Sequence, residues 1–164
     1  MAGLVFAIIM SLWLNVLQPR PQKDVPERLG ELELVGAVSG AEALARVNRL
    51  HGLDIELSEA IIAEYTHSSP YHGNSHASIW VGTAANAGAA TELIRRMAEG
   101  IGKGGSPFVN LRRVTVGGHE VFQVDSQGGT NYFYTSRKKQ ENVVWISIEA
   151  SEPELILEEA VRAF

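Results

Sequence analysis

The chain has 164 residues, 45% hydrophobic and 20% charged, the balance of a globular domain large enough for one real core. Its formal charge is −5, with 14 Lys and Arg against 19 Asp and Glu, which argues against phosphate-backbone binding and so against a nucleic-acid partner. There is no cysteine, so disulfides, thiolate catalysis, zinc–cysteine sites, thioether haem attachment and a lipobox are excluded.

Residues 2–17, AGLVFAIIMSLWLNVL, carry no charged side chain. As a helix they reach about 24 Å, a little short of the roughly 30 Å hydrocarbon layer. The run ends in Leu14-Asn15-Val16-Leu17-Gln18-Pro19, which lacks a small-residue cleavage pattern. The expectation is an uncleaved single-pass membrane anchor over 1–18, with Trp13 near the interface. Pro19-Arg20-Pro21 and Pro26 then read as an extended spacer over 19–31. Arg20, Lys23 and Arg28 follow the apolar run, and the positive-inside rule would hold the domain in the cytoplasm. A start assigned too late would have removed basic residues upstream, and the orientation expected here is extracytoplasmic.

Residues 32–164 read as a single α+β domain. A strand over 32–38 leads to Ser39-Gly40-Ala41-Glu42, which has the form of a capping box. Leu44, Val47 and Leu50 then recur at helical spacing, and Gly52 stands where a helix would end. Residues 59–66 and 77–83 read as a strand pair around a polar loop, His67 to His76. Asn86 is a good N-cap for a second helix, with Ala90, Leu93, Ile94, Met97 and Ile101 on one face. Four strands follow at 111–116, 119–124, 131–135 and 143–149. They are separated by Gly117-Gly118, Gly128-Gly129 and the charged tip from Arg137 to Asn142. Ser151-Glu152-Pro153-Glu154 reads as a second capping box, and Leu157, Ala160, Val161 and Phe164 line a last helix. The predicted architecture is an antiparallel sheet of about six to seven strands with helices on one face. Its β-α-β-β-α-β order is ferredoxin-like, extended by a β-meander and a C-terminal helix.

The segments Leu50-His51-Gly52, Met97…Ile101…Ser106-Pro107-Phe108, Thr130-Asn131-Tyr132-Phe133-Tyr134 and Val143-Val144-Trp145-Ile146 carry a family resemblance. Over most of 32–148 the chain resembles a group of small, N-terminally membrane-anchored prokaryotic proteins of unknown function. The shared motifs are structural, so the resemblance implies an anchored domain and no site residues.

Residues that could carry chemistry are few. His67, His72 and His76 crowd one loop, and three imidazoles could hold a metal ion or haem there. No Asp or Glu lies in that loop, and Gly73-Asn74-Ser75 breaks the helix that would align His72 with His76; an exposed polar loop is the simpler reading. His51 suits a helix end, where the dipole favours its charge. His119, Asp125 and Ser126 are triad residue types, but His119 and Asp125 lie about 20 Å apart along one strand. The glycines from Gly100 to Gly105 follow a helix rather than open one, unlike a phosphate loop. Arg137-Lys138-Lys139 reads as a solvated turn.

Alternation is more informative. Ile79 and Val81 share one side with Val144, Ile146 and Ile148, the aliphatic set expected beneath the helices. The other side would hold Trp80 and Trp145, with Phe133 or the pair Tyr132 and Tyr134. An aromatic face is either covered or used, and a homodimer or another protein is expected to close it. The function expected is a membrane-tethered, non-enzymatic interaction or accessory domain without a cofactor. The alternative is a metal- or haem-binding protein that uses His67, His72 and His76.

Overall fold

The computed structural model describes residues 24–51, 55–69, 73–104 and 106–164. The expected anchor over 1–18 lies outside the described residues, as does His72. Among the described residues no helix is long and apolar enough to cross a membrane.

Among the described residues eight strands form one antiparallel sheet in the order β1-β2-β3-β4-β8-β7-β6-β5. They are β1 (Arg28–Leu29), β2 (Leu32–Ser39), β3 (Glu59–Ser69), β4 (Gly73–Thr83), β5 (Val109–Val116), β6 (His119–Ser126), β7 (Gly129–Thr135) and β8 (Asn142–Glu149). Among the described residues three helices pack on it: α1 (Ala41–His51), α2 (Ala87–Gly102) and α3 (Pro153–Ala163). The two hairpin systems form by local pairing, which keeps the loop-closure cost low. Gly117 and Gly118 both have positive φ (56° and 77°), the conformation a two-residue β5–β6 turn requires. The single long-range seam is β4 on β8, with Ser78 opposite Ser147 and Trp80 opposite Trp145.

Several expectations change. In the ferredoxin-like arrangement each helix joins two parallel strands with a third strand inserted between them, whereas here α1 joins β2 and β3, which are direct antiparallel neighbours. The sheet has eight strands because residues within the expected spacer join it. Val25 is buried, the Pro26 carbonyl accepts from the Tyr65 hydroxyl at 2.8 Å, and β1 pairs with β2. The His67–His76 loop is mostly strand, since β3 and β4 pair as far as Ser69 and Gly73.

The helices do not share one face. Ala43 and Val47 of α1 pack with Ala60, Ile62, Val38 and Trp80. Ile94 of α2 packs with Val124, Phe133 and Trp145. Both helices therefore lie on the aromatic side. The aliphatic side is covered by α3, whose Ile156, Leu157, Ala160 and Val161 are buried against Ile79, Val81, Val144, Ile146 and Ile148. A sheet with helices on both faces needs an apolar set on each, so alternation alone did not reveal which set lay beneath which helix.

The caps are mixed. Asn86 accepts from the Ala89 N–H at 2.9 Å, as its residue type predicts. Gly40, at φ 67°, precedes α1, and Glu42 pairs with Arg46 at 2.7 Å. Before α3 the N-cap is Glu152, which makes no side-chain cap bond, and Pro153 supplies the preset φ of the first turn.

Candidate functional site

Across the aromatic side, register places side chains in rows perpendicular to the strands. One row runs Val38, Ile62, Trp80, Trp145, Phe133, Phe122, Arg113. Phe133 stacks on Trp145 (centroids 5.4 Å, 6° between planes) and on Phe122 (5.0 Å, 8°). Phe108 closes on Trp145 at 4.9 Å, and the Arg113 guanidinium lies 4.9 Å from the Phe122 ring centre. Phe133 is wholly buried, while Trp80 and Trp145 are half-buried beneath α1 and α2. The expected interaction face of Trp80, Trp145, Phe133, Tyr132 and Tyr134 is thus divided. The first three line the side under α1 and α2, and both tyrosines are buried on the α3 side. Neighbours on one strand leave on opposite faces, so Phe133 cannot share a side with Tyr132 and Tyr134.

The next row is polar: Gly36, Glu64, Ser78, Ser147, Asn131. Its side chains belong to two hydrogen-bonded sets. The Trp80 indole N–H donates to Ser78 Oγ at 2.9 Å, and the Ser78 hydroxyl donates to Glu64 Oε1 at 2.9 Å. Glu64 Oε2 lies 3.0 Å from His76 Nε2. Ser147 donates to Asn131 Oδ1 at 2.5 Å, and Asn131 donates to Ser126 Oγ at 3.0 Å. One carboxylate gathers a hydroxyl and an imidazole and holds the ring by Nε2. The serine hydroxyl points to the carboxylate rather than to the imidazole, so the three do not form a nucleophile–base pair. Sequence reading missed Glu64, Ser78, Asn131 and Ser147. The available signal was Glu64 breaking the apolar run EAIIAEYT, opposite Ser78 once the hairpin is paired outward from its tip.

The same register separates the histidines. His76 is opposite Thr66 and faces Glu64, whereas His67 is opposite Ser75, one residue out of phase and on the other side of the sheet. Their rings cannot converge on one ion without undoing the hairpin. No group of three His, Cys, Asp or Glu among the described residues could hold a metal ion. The remaining triad candidates are also apart: His119 Nε2 donates to the Thr135 carbonyl at 2.7 Å, and Asp125 accepts from Asn110 at 3.0 Å.

Beyond this row β3 and β4 continue as an arm. β2 and β8 accompany the hairpin only as far as Glu33 opposite Thr66 and His76 opposite Glu149. Three further pairs, His67 with Ser75, Ser68 with Asn74 and Ser69 with Gly73, have no flanking strand among the described residues.

No protein-family model, curated protein or solved structure matches the chain.

Proposed function

We propose that the chain is a membrane-tethered, non-enzymatic interaction domain that offers the β3–β4 arm to a protein partner. The supporting observation is the projection of the hairpin past both flanking strands. Its two outer edges present backbone N–H and C=O groups with no neighbouring strand among the described residues, which is the template for strand addition. Natural edges are commonly blunted by Lys, Pro at the edge or inward charge, and residues 67–76, HSSPYHGNSH, contain one proline and no Lys, Arg, Asp or Glu. The tether is the charge-free run at residues 2–17, with the domain on the extracytoplasmic side.

The test replaces residues 68–74 with an Asn-Gly turn, which the hairpin accepts without a change of register. A photo-crosslinker at Tyr71 of the full chain, in its native cells, should give a discrete adduct with one protein, and the same probe at exposed Leu155 should not. The shortened arm, probed at Ser75, should lose that adduct while the domain keeps its unfolding midpoint. An adduct that survives shortening, or that forms equally from Leu155, overturns the reading. The tether is tested separately: the full chain should sediment with membranes, and removal of residues 1–23 should release it.

A further inference from the structure

The basic turn between β7 and β8 is not simply solvated. Lys138 Nζ donates to the Ala163 carbonyl at 3.0 Å, and Lys139 pairs with Asp24 at 3.5 Å. Arg137 donates through one nitrogen to the Gly117 carbonyl at 2.8 Å and enters no ion pair among the described residues. In a chain with more carboxylates than cations this is notable, since most described arginines have a carboxylate partner.

Arg137 lines a groove of about 300 Å³ at the end of the sheet, together with His119, Gln140, Thr135, Thr91 and Ala87. Among the described residues no Asp or Glu lines it. The nearest acidic neighbour in sequence to His119, Glu120, is taken up by Arg113 at 3.4 Å on the opposite side of the strand. Ala87, the first residue of α2, lines one wall; Asn86 already caps that turn through the Ala89 N–H, and the turn holds no acidic residue. The Thr91 hydroxyl donates to the Ala87 carbonyl at 2.9 Å, so its proton is not free for a ligand. The His119 ring is fixed by its bond to the Thr135 carbonyl. Ser136 also lines the groove, with its hydroxyl already donating to the Phe164 carbonyl. What remains is the other guanidinium N–H groups of Arg137, which only donate, and the Gln140 amide and Thr135 hydroxyl, which can turn a donor toward an anion.

We propose that this groove binds a phosphate-type oxyanion, with Arg137 as its charge partner and Gln140 and Thr135 as neutral donors. A planar guanidinium matches two oxygens of such a group, and donors without a competing carboxylate favour the anion over water. The volume, about 300 Å³, is at the small end of the range for small-molecule sites. The phosphate could be free or the headgroup of an anionic lipid near the tether. The site lies apart from the β3–β4 arm and does not depend on it.

The test uses the full chain in detergent, titrated with inorganic phosphate and read by the His119 ring signals in NMR. Saturable shifts are expected, with affinity about tenfold or more weaker in Arg137→Gln. Arg137→Lys should restore part of it, and Arg96→Gln, an exposed arginine of α2 outside the groove, should change nothing. In parallel, vesicles of phosphatidylglycerol and of phosphatidylcholine are compared with the same variants. If the signals saturate with phosphate, the source is a free oxyanion. If they move only with phosphatidylglycerol and depend on Arg137, the source is a headgroup. Both outcomes support the site. Signals that move with neither, or that move equally in Arg137→Gln while the variant retains its thermal midpoint, overturn it. If Arg137→Gln unfolds, Gln140→Leu supplies the same test without touching the Gly117 contact, and unchanged affinity in that variant overturns the site.

Discussion

Trp80 and Trp145 stand opposite each other across the β4–β8 seam, yet they belong to different packing clusters. Trp80 packs with α1 and the β2–β3 side, and Trp145 with α2 and the β6–β7 side. The two hairpin systems are therefore joined by an aromatic pair that each half builds separately. Removing Trp145 deletes the stack on Phe133 and the contact with Phe108. Trp145→Ala is expected to cost about 3 kcal/mol, the low end for a large aromatic, because the ring is half-buried. In a domain of this size that lowers the thermal midpoint by about 6–12 °C. Sedimentation of the full chain in detergent should show no change in association. A variant that dissociates a dimer at unchanged midpoint would restore the intermolecular role once expected of this face.

Much of this fold is legible in the residues themselves. Gly117-Gly118 and the alternation of Val144, Ile146 and Ile148 place strands close to where they occur, because turn chemistry and period-2 burial are local properties. What escaped was of two kinds. Arg28–Leu29 is too short to carry a period, and its membership in the sheet is decided by Val25 and Leu29 meeting the core. Which face meets which helix is a tertiary choice, and in β4 both faces are apolar enough for either: Ile79 and Val81 on one side, Trp80 on the other. The polar row failed to show for the same reason. Glu64 and Ser78 become neighbours only through the hairpin register, and the polar residues from His67 onward carry no alternation that would reveal that register.

The opposite phase of His67 and His76 makes a direct prediction for metal binding. If one ion needed both rings, losing either should abolish binding. With the rings on opposite sides, His67→Ala and His76→Ala should each leave any zinc affinity of the full chain unchanged within about twofold. Isothermal titration with zinc in detergent reads this. A stoichiometric site lost equally in both variants would mean that the hairpin opens to form it.

Two buried tyrosines differ in one bond. The Tyr65 hydroxyl donates to the Pro26 carbonyl, whereas the Tyr134 hydroxyl is buried with no hydrogen-bond partner among the described residues. Burying an unsatisfied hydroxyl costs about 1–3 kcal/mol, and replacing it with hydrogen removes that cost. Tyr134→Phe is therefore expected to be neutral or to stabilise by about 1 kcal/mol. Tyr65→Phe should destabilise by a similar amount, because it leaves the Pro26 carbonyl unpaired beside β1. Urea unfolding of the two variants in parallel decides the matter. Equal losses in both would mean that Tyr134 has a partner in solution.

The same pair sets an alkaline limit on stability. Burial pushes both phenols well above their ordinary value near 10, because the interior disfavours the phenolate. A group whose folded pKa is raised keeps its proton more tightly in the native state. Below about pH 10 both folded and unfolded chains hold that proton, and the stabilising contribution is fully present. Above it the unfolded chain releases protons that the native chain retains, so stability falls by about 1.4 kcal/mol per pH unit for each such tyrosine. The loss continues until the folded groups themselves ionise. Burial raises Tyr132 as well, reinforced by the charge of Glu154, so it adds in the same direction. Lysines titrate in this range too, and for that reason the informative quantity is a difference. Urea midpoints of the full chain and of the double variant Tyr65→Phe, Tyr134→Phe, compared at pH 9, 10 and 11, should converge or cross as pH rises. The double variant starts near the parent or below it and loses less per pH unit. Parallel slopes would show that the two phenols reach solvent before the fold opens, and would remove both as the cause of alkaline unfolding.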